Sequence, residues 1–563
     1  MEKTSNWLPH LQKDVLKGVR GYKLCAYLVA LEGWRRGLTL NWYSNASNAS
    51  DIKKLGNSYT GKFFSLSSQE RTHYFFRSRG DLVTNEAVDI TRNKEETKHY
   101  FKKHNLPFPE GKRFQASSEN EELISYADTI GFPLVIKPTS GSLGQGVITN
   151  IKNLESLKSA INYVRTELKF KDVIVERFIS GDDYRVYVIG DQVAGAVKRK
   201  AANVVGDGKS TIRELISIKN QKRKKNPYLY TRLIKEDKEI DLFLKELKYT
   251  LDTVPVKDEV VYLKSKSNLS SGGDSVDATD ELTDEMKKIA IESVKAIPGL
   301  LHAGIDIISD KKATVIIEIN PTAIIGSHLF PMEGKSRDIP EAIIDYYFPE
   351  TIDSKNNKSS MYFNFKSILE PLESGVTNNI EVEPAIRSTL YSKKYIISGN
   401  VQGLGFRQYL RKKAFELQLS GWVKNSDNGN IEVVAAGKGL ESLESFKTIC
   451  FQGTEKTQVD NVIEKNWSKP IKAGFEIIEI KEETKNKKID KLEKELEAIK
   501  LELEDVNKLT ASTKQQLWEV TQINEKLQNE KDLKEKQFRQ IKNSRTWRYT
   551  EPLRRVISYL KLK

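Results

Sequence analysis

At 563 residues, 38% hydrophobic and 30% charged, the chain is too long for one hydrophobic core and reads as several domains with some solvent-exposed helix. Its two cysteines, Cys25 and Cys450, exclude a disulfide framework and suit a reducing compartment. The formal charge of +14 is scattered, and its densest cluster, Lys222–Lys225, reads as a solvated loop between helices, so charge alone names no partner and no nucleic-acid role is expected.

Met1–Gly18 has no apolar stretch behind its first lysine, and Leu24–Leu31 is far shorter than the roughly 20 residues of a membrane helix, so a cytoplasmic protein is expected. Residues 1–90 read as a small α/β unit, with a helical apolar pattern over Tyr22–Trp34 and a β-type run over Leu38–Tyr43. From 91 to 350, β-rich runs at Pro133–Lys137, Asp172–Glu176, Tyr184–Ile189 and Val315–Ile319 alternate with amphipathic helices, as in an α+β enzyme core. Residues 351–391 are expected as a linker whose polar part is Asp353–Ser359. Residues 392–481 read as strand, Gly-rich loop, helix, strand, turn, strand, helix and further strands. The turn is Asp427-Asn428-Gly429, and the order is the split βαβ, ferredoxin-like one.

From 484 to 542 the composition shifts to Lys, Glu and Leu. Ile489, Leu492, Leu496, Ile499, Leu503, Val506, Thr510, Thr513, Leu517, Val520, Asn524 and Leu527 alternate three and four apart, which predicts a coiled coil, against the plainer reading of a single solvated helix. A parallel dimer is expected, its register fixed by the polar seam residues Thr510, Thr513 and Asn524. Residues 543–563 form a basic amphipathic tail in which Pro552 opens a helix carrying Val556, Ile557 and Leu560 on one side. Basic neighbours suit that face to an anionic membrane surface.

Three separated elements carry nucleotide chemistry. Lys94 precedes a strand ending in Lys137, which is followed by Gly141, Ser142, Gly144 and Gly146. A lysine places a point charge on phosphate oxygens and glycines let backbone N–H groups approach an anion, although a Gly-rich loop alone also fits a surface turn. Val173–Asp183 runs a buried strand into Glu176, where a carboxylate needs a partner. Glu176 and the Arg177–Ile179 backbone suit an adenine edge and Asp183 a ribose, against the plainer reading of a strand exit with surface charges. Glu318 and Asn320, two apart on one strand, share a face, and with Asp306 they offer three hard oxygen ligands suited to magnesium, against the plainer reading of a hydrogen-bonded strand end.

In this order the elements resemble the ATP-grasp family from about Asp89 to Pro349. The resemblance implies that Lys94 and Lys137 bind ATP phosphates, that the 141–146 loop covers them, that Glu176, Arg177 and Ile179 line the adenine site, and that Asp183 binds ribose. It also implies that Asp306, Glu318 and Asn320 hold Mg²⁺, with Mn²⁺ as a substitute. Asn203–Glu214, Asn268–Thr279 and Ile319–Arg337 resemble the ATP-grasp modules of cyanophycin synthetases and bifunctional glutathione synthetases. They imply a catalytic Arg185 and substrate-side roles for Lys198, Asn268, Ser270 and His328. For His328 the alternative is a packed imidazole. The implied reaction joins a carboxylic acid to an amine of the amino-acid or peptide class through an acyl-phosphate. No GxxxxGK[ST] loop is present, so the Mur-ligase-like half of cyanophycin synthetase is missing, and the substrates do not carry over.

A second anion site is legible in Gly399–Arg407. Gly403 and Gly405 let a loop wrap backbone N–H groups around an anion at a helix start, Arg407 adds a planar cation, and Asn425 at a strand end can orient a water. With Gln402, Leu404 and Phe406 in the loop and Gly421–Asn425 downstream, residues 393–480 resemble acylphosphatase, Leu404 standing where that family usually has valine. The resemblance implies that Arg407 binds an acyl-phosphate and Asn425 positions the attacking water. The fusion suggests that the second domain hydrolyses the class of intermediate the first one makes. Competing readings are a hydrolase with a regulatory nucleotide domain, and a coiled-coil scaffold with ligand-sensing domains. Asn543–Arg555 resembles a short segment that follows coiled coils in bacterial surface-polysaccharide glycosyltransferases, which implies a cell-envelope context.

Overall fold

Helix α1 (Tyr22–Arg35) is buried along almost its whole length, and Gly33 is the reason it can lie so close to its sheet. A Cβ there would stand 2.4 Å from a Leu66 methyl. Strands β1 (Thr39–Tyr43), β2 (Phe63–Ser67), β3 (Thr72–Phe76) and β4 (Arg79–Gly80) follow. The computed structural model describes residues 7–11, 14–45, 52–56, 58–139, 146–310, 313–387, 390–479 and 482–560.

Helix α2 (Asn85–Arg92) is capped by the Thr84 hydroxyl and α3 (Lys94–Lys103) by the Asn93 side chain, so Lys94 opens a helix directly after a cap. Strand β5 (Gly111–Phe114), α4 (Asn120–Ile130), β6 (Leu134–Pro138), β7 (Ile148–Ile151), α5 (Leu154–Asn162) and β8 (Val173–Arg177) then build an antiparallel sheet of order β5-β8-β6-β7. Its core contains Leu134, Ile136, Val173 and Val175 packed with Leu123 and Leu157.

A second sheet contains β9 (Asp182–Ile189) and β10 (Gln192–Lys200). An excursion follows through β11 (Asn203–Val205), α6 (Ile212–Lys225), α7 (Lys238–Glu246) and β12 (Val260–Tyr262), with its own small core around Ile212, Ile240 and Val261. The chain returns through β13 (Asp274–Asp277), α8 (Asp284–Lys295), β14 (His302–Ser309) and β15 (Thr314–Asn320), giving the order β13-β10-β9-β14-β15. Alternation along β9 separates two faces: Tyr184, Val186 and Val188 join the core that includes Met286 and Val294 of α8, while Asp183, Arg185 and Tyr187 point to the other side. Helices α9 (Gly326–Leu329) and α10 (Ile339–Tyr347) complete this part.

Two expectations need correction. Lys222–Lys225 is the last turn of α6 rather than a solvated loop. Its Arg223 is fully buried and binds the carbonyls of Arg232, Leu269 and Gly273 together with Asp274. The stretch read as a linker is largely structured: β16 (Met361–Tyr362), α11 (Phe365–Glu373) and β17 (Asn379–Val382) belong to the first unit. Strand β17 pairs with β1 to give the order β17-β1-β2-β3-β4, and Phe363, Phe365 and Ile368 pack in the core with Tyr27, Trp34 and Trp42. These few apolar residues, spread among polar ones, find aromatic partners across more than 300 positions of sequence, as in the bond from the Tyr27 hydroxyl to the Phe363 carbonyl.

The next sheet has the expected ferredoxin-like sequence of elements: β18 (Tyr391–Asn400), α12 (Phe406–Glu416), β19 (Ser420–Asn425), β20 (Ile431–Gly437), α13 (Leu440–Gln452), β21 (Gln458–Asn466), β22 (Ile471–Lys472) and β23 (Phe475–Ile478). The strand order is β21-β18-β20-β19-β23, and the Asn428-Gly429 turn closes between Ser426 and Asn430, with Gly429 at φ +85.

A separate unit begins at Glu479. It holds α14 (Glu482–Asn543), α15 (Arg545–Tyr549) and α16 (Glu551–Leu560). Leu496, Ile499, Leu503, Val506, Leu517, Val520 and Leu527 are each more than half exposed. The side chains of Ile489 and Leu492 lie outside the described residues. Among the described residues, no helix is long and apolar enough to cross a membrane, and both cysteines are free and buried.

Candidate active sites

Strand β8 delivers Glu176 into the interior beside β6, and two lysines converge on it. Lys98 Nζ lies 2.7 Å from Oε1 and Lys137 Nζ 2.5 Å from Oε2. Burial alone would raise the Glu176 pKa, but the two lysines overcome it and hold the carboxyl below its ordinary value. Lys94 is half-buried one helical turn before Lys98. Burial, and then the positive charge of Lys137, push its pKa down, while Glu318 and Glu176 act in the opposite direction.

Gly141, Ser142 and Gly144 lie outside the described residues. Gly146 is described, at φ +70 and against Pro138 and Phe170. The Arg177 N–H is already given to the Glu110 carbonyl and its guanidinium to the Ile130 carbonyl, while Ile179 follows the strand half-buried. Asp183 accepts from Arg199 at 3.0 Å and from the Ser267 hydroxyl, so its carboxylate is engaged.

On the polar face of the larger sheet, Asp306 lies in register with Arg185 on one side and Glu318 on the other. Arg185 takes both Asp306 oxygens, one at 2.9 Å, and Arg199 Nη2 stands 3.2 Å from Oδ2. Burial would raise the Asp306 pKa, and the two guanidiniums hold it down. Glu318 is exposed. Asn320 is half-buried, opposite Gly304, and its Oδ1 accepts from the Thr322 N–H at 3.1 Å. Three oxygen-bearing side chains on neighbouring strands fit a hard divalent cation in donor chemistry, with Asp306 shared between cation and arginines.

Next to this ladder His328 is fully buried, edge-on to Tyr187, and neither ring nitrogen has a hydrogen-bond partner. Burial, and then Arg185, push its pKa down to about 3. Ser275 Oγ, on the strand position opposite Arg199, and Thr322 Oγ1 are also buried and unpartnered. Buried polar atoms without partners are costly, and a polar ligand reaching any of these would repair the deficit. Lys198 does not join them. Alternation places it with Tyr184 on the opposite face, where it pairs with Asp182 at 2.5 Å. The Asn268 carbonyl anchors the turn that holds exposed Ser270, and Arg223 grips the same turn at Leu269.

Sequence reasoning missed Lys98, Arg199, Ser275 and Arg223. Lys98 was findable as the residue four after Lys94 on one helix face. Arg199 was findable from strand alternation, which selects it over its neighbour Lys198.

In the smaller domain, Gly403 and Gly405 adopt φ of +77 and +75, and Gly405 caps α12. Gln402 Nε2 donates to the carbonyls of Ser426 at 3.1 Å and Asn430 at 2.8 Å, tying the loop to the hairpin after β19. Leu404 is half-buried in the loop and Phe406 fully buried beneath it. Arg407 sits in the first turn of α12, and no carboxylate pairs with it among the described residues. Asn425 ends β19 with its Oδ1 buried and unpartnered. A helix start, a glycine loop and a cation together favour an anion.

Comparisons with known proteins match two parts of the chain. Family models match for a RimK-like ATP-grasp domain at residues 91–224, an ATP-grasp domain at 242–324 and an acylphosphatase at 393–477. The chain is 34% identical over 278 residues to a cyanophycin synthetase of Synechocystis sp., covering 48% of this chain and 31% of that protein. It is 30% identical over 352 residues to the glutathione biosynthesis bifunctional protein GshAB of Clostridium perfringens, covering 59% of this chain and 42% of that one. It therefore spans between about a third and two fifths of these relatives' lengths. An acylphosphatase structure from Coxiella burnetii aligns at 35% identity and a TM-score of 0.15, covering 16% of this chain and 93% of that one. Residues 91–224 and 242–324 belong to an ATP-grasp module, and residues 393–477 to an acylphosphatase domain.

Proposed function

We propose that the chain is an ATP- and magnesium-dependent carboxylate–amine ligase whose second domain hydrolyses acyl-phosphates. The observation that carries the reading is the convergence of Lys98 and Lys137 on the buried carboxylate of Glu176, with Lys94 one turn before Lys98 on the same helix. Such a cluster of lysines suits a polyanion, and the oxygen-bearing side chains Asp306, Glu318 and Asn320 suit its cation.

In the proposed reaction a carboxylate oxygen attacks the γ-phosphorus of ATP and ADP leaves. An amine then attacks the acyl carbon, and phosphate leaves with the electron pair of the broken C–O bond. Lys94 and Lys137 would hold phosphate oxygens, and Arg185 with Arg199 would stabilise the charge developing on the transferred group. Asp306, Glu318 and Asn320 would hold magnesium, which supplies further charge neutralisation when bound. His328, Ser275 and Thr322 would line the substrate pocket, and Asn268 and Ser270 its entrance. Cyanophycin synthetase and the glutathione protein are named for products built from amino acids, and the substrates proposed here are of the amino-acid or peptide class.

In the acylphosphatase domain Arg407 would bind the phosphoryl oxygens and Asn425 would orient the water. Residues 1–90 with 361–382, 91–350, 392–481, 484–542 and 543–563 are taken as the working units. The exposed seam of α14 would form a homo-oligomeric coiled coil, and the basic tail would contact an anionic envelope surface from the cytoplasmic side.

The direct test is an amine-dependent ADP-release screen across amino acids and small peptides, with mass spectrometry of the product. Amide formation that disappears in Lys137→Ala is the expected result. No magnesium-dependent heat of ATP binding, with Lys137→Ala indistinguishable from wild type, would overturn the reading.

A further inference from the structure

Resting on the ligase reading above, we propose that the acylphosphatase loop acts on acyl-phosphate arriving through solvent, released by this or any other copy of the chain, rather than on an intermediate handed across within one chain. The carrying observation is the polarity of the smaller domain. Among the described residues, its hydrogen-bonded attachment to the rest of the first unit is the parallel pair of β16 with β22, Met361 opposite Ile471 and Tyr362 opposite Lys472, extended by the Ala473 N–H to the Tyr362 carbonyl at 2.8 Å.

Everything around that junction belongs to one end of the sheet. Trp467 exchanges backbone and side-chain bonds with Ser392, near the start of β18, at 3.2 and 2.7 Å. Gly421, near the start of β19, donates to the Gly474 carbonyl at 2.8 Å. Leu390, Trp422, Trp467 and Ile471 pack there with Val434 and Ala436.

The phosphate loop belongs to the other end. Registers run from Tyr391 opposite Gly437 to Ile397 opposite Ile431, and from Ser420 opposite Ala436 to Asn425 opposite Ile431. At about 3.4 Å per residue, Asn425 lies roughly 17 Å along β19 from Ser420, and Asn400 roughly 27 Å along β18 from Ser392. Gly403 and Gly405 are exposed, and a Cβ placed on either would meet nothing within 4 Å. The junction therefore works as a mount that presents the loop outward, away from the strand that fastens the domain.

The step is a simple hydrolysis: water oxygen attacks phosphorus, the bond from phosphorus to the carboxyl oxygen breaks, the carboxylate leaves with the electron pair, and a water proton is released.

A mixing experiment tests this. With a non-cognate acid, ATP and hydroxylamine, an Asn425→Ala chain should accumulate acyl-hydroxamate from escaped acyl-phosphate. Adding an equal amount of ligase-dead Lys137→Ala chain, checked to hydrolyse benzoyl phosphate, should lower the hydroxamate to within about twofold of the wild-type level; the same addition carrying Arg407→Ala as well should not. Hydroxamate unchanged by an active Lys137→Ala chain would overturn the proposal, because hydrolysis would then require the intermediate's own chain. Failure of the underlying reading looks different: no ADP and no hydroxamate from any chain, or no benzoyl phosphate hydrolysis by wild type.

Discussion

Arg185 and Asp306 face each other in register on β9 and β14, and the guanidinium takes both oxygens of the carboxylate. Asp306 thereby neutralises Arg185 and Arg199, and in the proposed reaction it would also share an oxygen with magnesium. Asp306→Asn keeps the shape and removes the charge, leaving two arginines uncompensated. A stability loss of about 3 kcal/mol is expected from breaking a buried ion cluster on one side. Urea unfolding measures it, and titration calorimetry should show the magnesium-dependent part of ATP binding abolished.

Lys98 is expected to matter although it is four residues beyond the lysine that the motif points to. It shares Glu176 with Lys137, so Lys98→Ala should let that carboxylate shift and weaken ATP binding about tenfold, or ~1.4 kcal/mol. Lys98→Arg should recover part of the loss. Equal ATP affinities in all three proteins would show that Glu176 needs only Lys137.

Arg223 holds the turn at 269–274 through carbonyls and Asp274 while itself fully buried. Arg223→Met should cost about 3 kcal/mol, since several buried acceptors lose their donor at once. Because the turn leads into Ser275 and the pocket, the KM for the substrate should rise more than kcat falls. Steady-state kinetics separates the two.

His302 is fully buried between the hydroxyls of Tyr187 and Tyr347, at 3.2 and 3.1 Å. Burial, and then the positive charge of Arg79, lower its pKa from 6.5 to about 3. Between those values the unfolded chain binds the proton and the folded chain does not, so stability rises with pH there. The contribution is complete above about pH 6.5 and is lost as pH falls toward 3. His302→Gln should flatten the pH dependence of urea unfolding between pH 6 and 4.

If α14 pairs with a second copy, Leu503→Asp with Leu517→Asp should convert the protein to a monomer in sedimentation, with ligase turnover retained. Thr510→Ile with Thr513→Leu should raise the melting temperature of the associated form, because polar seam residues give register at a cost in packing.

What the sequence determined was local. Alternating apolar residues in Tyr184–Ile189, the Asn428-Gly429 turn, the glycines before Arg407 and the spacing of Glu318 and Asn320 are each written within a few positions, because strand period, turn geometry and anion-binding loops are short-range properties. What tertiary structure decided was partnership. That Glu176 is neutralised by Lys98 and Lys137, that Arg199 rather than Lys198 faces Asp306, and that β17 completes the first sheet by pairing with β1 depend on segments meeting across 39 to 342 residues of chain. Buried charges and apolar residues in a polar stretch announce only that a partner is needed. Which partner it is follows from the packing of the whole chain, where desolvation penalises every charge left alone.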